Sequence, residues 1–109
     1  MRTNKKPPAI SEAHALLRRL FDVAESRLHE RGISMRSSPA VLEWLLNQSD
    51  WRVGLNPLRT LDGIWHEQVA VVIEGLLLEG RLRSGNTLEV RMAEEPTGSR
   101  IRFDIAPHT

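Results

Sequence analysis

A chain of 109 residues, with 40% apolar and 27% charged side chains, has room for one small globular domain and none for a second. Its 15 basic and 14 acidic side chains leave a formal charge of +1, which argues against a field that gathers nucleic acid or anionic membrane. The sequence holds no cysteine, which excludes disulfides, thiolate catalysis and cysteine metal sites, and no apolar run approaches a bilayer span.

Residues 1–10 carry both lysines, Lys5 and Lys6, together with Pro7-Pro8, and predict a disordered basic arm. No apolar core follows the basic residues, so a secretory signal is not expected and a cytoplasmic location is. Ser11, placed as an N-cap before Glu12, starts a first helix. Leu16, Leu17, Leu20, Phe21, Ala24 and Leu28 recur at helical spacing, with Arg18, Arg19, Glu25 and Arg27 on the other side, and Gly32 stops the run. Ile33 to Arg36 alternates apolar and polar and reads as a short strand. Ser38 caps the next helix with Pro39 at its first position, where a missing N–H costs nothing. Val41, Leu42, Trp44, Leu45 and Leu46 give that helix its apolar side, and Trp51 to Gly54 is irregular.

Asn56-Pro57 repeats the cap-then-proline start, and a long helix is predicted from about Leu58 to Glu79. Gly63 and Gly75 interrupt it, each costing about 1 kcal/mol relative to alanine, and predict close approach by another backbone. Gly80 ends the helix and Ser84-Gly85-Asn86 forms a turn. Thr87 to Met92 and Arg100 to Ile105 alternate cleanly as strands around a hairpin loop over 94–99. The fold class is therefore α+β in the order α-β-α-α-β-β. Three helices packed on a small three-stranded sheet, over residues 11–106, would bury a single core.

The stretch Gly54-Leu55-Asn56-Pro57-Leu58-Arg59 resembles the Gly-Ala-Arg-Pro-Leu-(Lys/Arg) signature of the C-terminal small, or lid, domain of Clp-type AAA+ unfoldases of the ClpB and ClpA class. The likeness runs from about Arg27 to Met92. It takes in the basic turn Arg27 to Gly32, the strand Ile33-Ser34-Met35, the pairs Trp44-Leu45 and Ser49-Asp50, and the turn Gly85-Asn86-Thr87. The resemblance implies a domain that packs against the large ATPase domain of its own chain and of a ring neighbour. In that family the signature arginine reaches nucleotide. Here Asn56 stands in its place, and a neutral amide cannot supply the charge or the planar fork of a guanidinium. Leu55 and Thr60 also depart from the pattern, whereas Arg59 keeps its charge. No Gly-x-x-x-x-Gly-Lys-Ser/Thr loop is present, so ATP hydrolysis and nucleotide binding by this chain alone are not expected, and no cofactor is implied.

Asn56 reads most simply as an N-cap at a degenerate nucleotide-sensor position. Arg59, in a first helical turn where the dipole disfavours cations, is a candidate for a binding rim together with Arg52 and Trp51. Trp51 reads either as an exposed interface anchor or as a loop tryptophan folded over the core edge, while Trp44 and Trp65 fall on apolar helical faces. His14, His29, His66 and His108 show no ligand spacing, so no metal site is expected, and no catalytic constellation is visible. The functional expectation is a non-catalytic interaction module that docks on an AAA+ ATPase or self-associates. The alternatives are the C-terminal fragment of a degenerate unfoldase and a winged-helix DNA-binding domain. The last shares the element order and puts Arg91, Arg100 and Arg102 on the hairpin, but its third helix would be unusually apolar and the near-neutral charge argues against phosphate binding.

Overall fold

The computed structural model describes residues 10–48, 51 and 55–107. Of the arm expected over residues 1–10, residues 1–9 lie outside the described residues and Ile10 is already helical; the Ser49-Asp50 pair, Arg52, Gly54 and His108 also lie outside them. The first helix, α1 (Ile10–Glu30), turns Ala13, Leu17, Phe21 and Leu28 inward at the predicted spacing. Ser11 is already helical, so it is not the N-cap; serine costs a helix only a few tenths of a kcal/mol, and a helix start shifts easily by one residue. At the other end Gly32 adopts φ 79°, the N–H of Ile33 bonds the carbonyl of Leu28 at 2.9 Å, and that of Gly32 bonds His29 at 2.9 Å. This is a Schellman stop, and buried Ile33 and Leu28 supply its apolar contact.

The chain then enters β1 (Ser34–Ser37) and turns at Ser38 into α2 (Pro39–Leu46). As predicted, Ser38 Oγ accepts the N–H of Ala40, at 3.2 Å. The long helix consists of α3 (Pro57–Trp65), a π-helical turn (His66–Ala70) and α4 (Val71–Leu78), with helical dihedrals at both junctions. At the π turn the ladder slips by one residue, so that Val71 N–H bonds His66 O. Gly80, at φ 72°, closes α4 with a second Schellman pattern, Arg81 N–H to Leu76 O and Gly80 N–H to Leu77 O.

The hairpin strands β2 (Asn86–Glu95) and β3 (Gly98–Pro107) are longer than predicted. Pairing continues to Glu95↔Gly98, leaving only Pro96-Thr97 as the turn. Side chains hold the tip together: Ser99 Oγ donates to Glu94 Oε2 at 3.0 Å and Arg100 Nε to Glu95 Oε2 at 3.1 Å. The sheet order is β1-β2-β3, with β1 parallel to β2 and β2 antiparallel to β3. A parallel pair needs a long crossover, and α2, α3 and α4 supply it.

Three helical rods thus cover one face of a three-stranded mixed sheet, the α+β arrangement expected from the sequence. Leu88 and Val90 of β2, Met35 of β1, and Val41, Leu45, Leu61, Trp65 and Val69 of the helices meet in the core, where Phe21 and Trp65 pack edge to face at 4.6 Å. Trp44 is only half-buried at the core margin. Outside their own helix, no described atom lies within 4 Å of a Cβ built on Gly63 or Gly75, so the expected close approach of another backbone is not made among the described residues. Among the described residues no helix is long and apolar enough to cross a membrane.

Candidate functional site

Of the rim expected from Trp51, Arg52 and Arg59, Arg52 lies outside the described residues and Trp51 is buried. Trp51 is 1% exposed and donates its indole N–H to Leu46 O at 2.9 Å, capping one of the carbonyls that the end of α2 leaves without a helical partner. It is therefore a core and capping residue, not an exposed anchor. Its tie is local in sequence, and the amphipathic indole satisfies both the core and the helix end. Asn56 occupies the N-cap position of α3, and its carbonyl accepts the N–H of Thr60 at 3.0 Å and the Thr60 hydroxyl at 3.2 Å. Its side chain makes no capping bond, contrary to the N-cap reading. Ser38, which does cap, sits at ψ 140°, whereas Asn56 sits at φ −138° and ψ 80°. With Pro57 next to it, the first backbone N–H is missing as well.

Arg59 contributes to a different feature. One face of α1 and the outer side of α3, the π turn and α4 enclose an open groove of about 650 Å³. Its floor is apolar, with Leu20, Val23 and Ala24 on one wall and Trp65, Ala70, Ile73 and Leu77 on the other. Arg27, Arg31 and Arg59 line it, as do Asp62, His66 and Glu74. None of these charged groups forms an ion pair with another described residue. An apolar trough edged by unpaired charges suits a protein segment better than a small molecule, whose sites are more enclosed.

Sequence reasoning singled out Arg59 for binding but not Arg27 and Arg31, which it read as part of a basic turn ending the first helix, with Arg27 on that helix's polar side. The missed signal was Val23, an apolar residue between Arg19 and Arg27 on that polar side, which is 44% exposed. The composition of α4, Val-Val-Ile-Glu-Gly-Leu-Leu-Leu, is apolar nearly all round, an excess that was legible in the sequence. In the folded chain only Ile73 of α4 is buried, while Val71 is 47% and Leu78 85% exposed.

The outer face of the sheet is charged and internally matched. Asp104 accepts Arg91 Nε at 2.7 Å and Arg102 Nε at 2.9 Å, and Arg36 approaches Glu89 at 3.9 Å. The hydrogen bond from Arg102, with that from Arg91 and the charge of both, holds the Asp104 carboxyl below the usual carboxylate range against partial desolvation. The hairpin arginines are thus engaged within the sheet. Among the described residues, no group of three or more His, Asp or Glu side chains is placed to hold a metal ion. In sequence, the chain matches no protein-family model and no curated protein.

Proposed function

We propose that the chain is a non-catalytic protein-interaction module of the Clp small-domain type, and that the groove between α1 and α3–α4 is its docking surface. The observation that carries this reading is the apolar trough together with the exposed apolar side of α4. Large apolar side chains left in water at one site mark a surface meant to be covered. The element order and the signature around Pro57-Leu58-Arg59 support a lid-like module whose partner is an AAA+ ATPase. Asn56, exposed and away from the groove, gives the module no cationic reach toward nucleotide, so the lid acts by contact alone.

DNA binding is the weaker reading. Arg91, Arg100 and Arg102 are each bonded to a carboxylate, and an arginine already paired has less to offer a phosphate.

The test is a pull-down with the tagged chain from lysate of its source, with ATP and with ADP, read by mass spectrometry. Recovery of an AAA+ unfoldase, reduced by Arg59→Glu, is the expected result. Recovery of no ATPase in either nucleotide would overturn the lid assignment.

A further inference from the structure

We infer that the groove accepts α4 of a second copy of this chain, so that two chains pair about a twofold axis with their fourth helices antiparallel. The inference rests on reading the groove as a protein-docking surface and names the occupant it takes when no ATPase is bound.

Three observations converge on this occupant. First, α4 is apolar on more sides than its own chain covers. Ile73 is buried and Leu77 lines the groove, while Val71 and Leu78 point away from the core. A helix that is apolar nearly all round is stable in water only when neighbours cover it on more than one side. Of the four large apolar side chains most exposed among the described residues, Val23, Val71 and Leu78 all lie in or beside this one surface.

Second, Val71, Gly75 and Leu78 recur at i, i+4 and i+7 and so share a stripe of α4. A glycine in mid-helix lowers stability, and among the described residues nothing outside its own helix occupies the space over Gly75. The missing side chain leaves a notch between two apolar residues where the backbone of another helix fits closely.

Third, the charges are complementary within the chain itself. The only charged residue of α4 is Glu74, which lines the groove from one side, while Arg27 of α1 and Arg31 of the turn that follows α1 line it from the other. None of the three is ion-paired with a described residue. The one patch thus carries both signs, and a second copy turned about a twofold axis can set its Glu74 against Arg27 and Arg31. Twofold symmetry makes the same contact twice, as a self-complementary patch requires.

Sedimentation velocity on the full chain from about 1 to about 300 µM tests the pairing. The expected result is a reversible dimer. Leu78→Lys, which places a cation at a helix C-terminus where it is favoured, and Gly75→Leu, whose Cβ meets no described atom outside its own helix and which removes a mid-helix glycine, should each keep the monomer's circular dichroism and keep or raise its urea midpoint. Each should raise the dissociation constant about a hundredfold, since two symmetric sites are lost together. Arg27→Glu with Arg31→Glu should weaken the dimer about tenfold or more, and adding Glu74→Arg should restore it. A monomer at every concentration, or a dimer indifferent to Leu78→Lys and Gly75→Leu, would overturn the inference. A monomer that still recovers an ATPase in the pull-down would overturn the pairing alone. A dimer that recovers none would overturn the lid assignment alone.

Discussion

Gly32 and Ser84 meet across the joint between the end of α1 and the turn into β2: a Cβ built on the glycine would lie 2.5 Å from the serine Oγ. The carbonyl of Gly32 also accepts the N–H of Gly85 at 2.8 Å. The residue that stops the first helix is therefore the one that holds the start of the sheet, immediately before Ser34 pairs with Thr87. Local backbone chemistry and the parallel pairing of β1 with β2 are coupled at this point.

Gly32→Ala should accordingly be among the most damaging small substitutions. A left-handed backbone costs a non-glycine residue about 1–2 kcal/mol, and displacing Ser84 adds to it. Urea unfolding is expected to show a loss of about 2–3 kcal/mol. Ser84→Gly in the same chain should recover the steric part and leave the conformational part. A loss unchanged by Ser84→Gly would show that the contact is immaterial.

Trp51→Phe should cost about 1–2 kcal/mol, because it keeps most of the buried ring but leaves the Leu46 carbonyl without its donor. Trp51→Ala should cost about 3–5 kcal/mol through lost burial. Calorimetric melting of the two variants separates the bond from the packing. If Trp51→Phe melts like the parent chain, the indole bond contributes nothing net.

Local signals carried much of the fold. The helical spacing of Leu17, Phe21 and Leu28, the Ser38-Pro39 cap and the stop at Gly32 each act within a turn or two, and each was legible in the sequence. So was the alternation of Leu88, Val90, Ile101, Phe103 and Ile105. What escaped depends on partners far along the chain. The pairing of β1 with β2 joins residues some fifty positions apart, and neither strand's alternation encodes the direction of its neighbour. The π turn at His66–Ala70 breaks no composition rule, because it changes the hydrogen-bond ladder and not the residue types. The site was harder to read than the fold. Arg27 and Arg31 look like solvated helix residues until α4 is seen standing across from them.

Asp104 should titrate below an ordinary aspartate, chiefly because Arg102 and then Arg91 bond its carboxylate. A carboxyl whose folded pKa is depressed adds stability above its unfolded value near 3.9 and loses that contribution as the pH falls through the folded value. Asp104→Asn should therefore lower stability at neutral pH and flatten the acid limb of the stability curve below about pH 4. It also leaves Arg91 directly opposite Arg102, so the variant's stability should rise with added salt. Carbon-detected titration of the Asp104 carboxyl checks the direction; a midpoint at or above the ordinary value would contradict the geometry.

Gly63→Ala distinguishes what the groove does for folding from what it does for binding. Gly63 is an exposed helical residue with no atom within 4 Å of a built Cβ, so alanine relieves its conformational cost without a clash. The variant should be more stable by about 1 kcal/mol, seen as a melting point higher by about 4–8 °C. Because Gly63 lines the groove, a larger side chain there fills the space that a docked helix needs. Gly63→Leu should therefore keep or raise the monomer's melting point while weakening any partner held in the groove. If the fold gains stability and binding is untouched, the docking surface lies elsewhere; if the fold loses stability, the open space over Gly63 is not free.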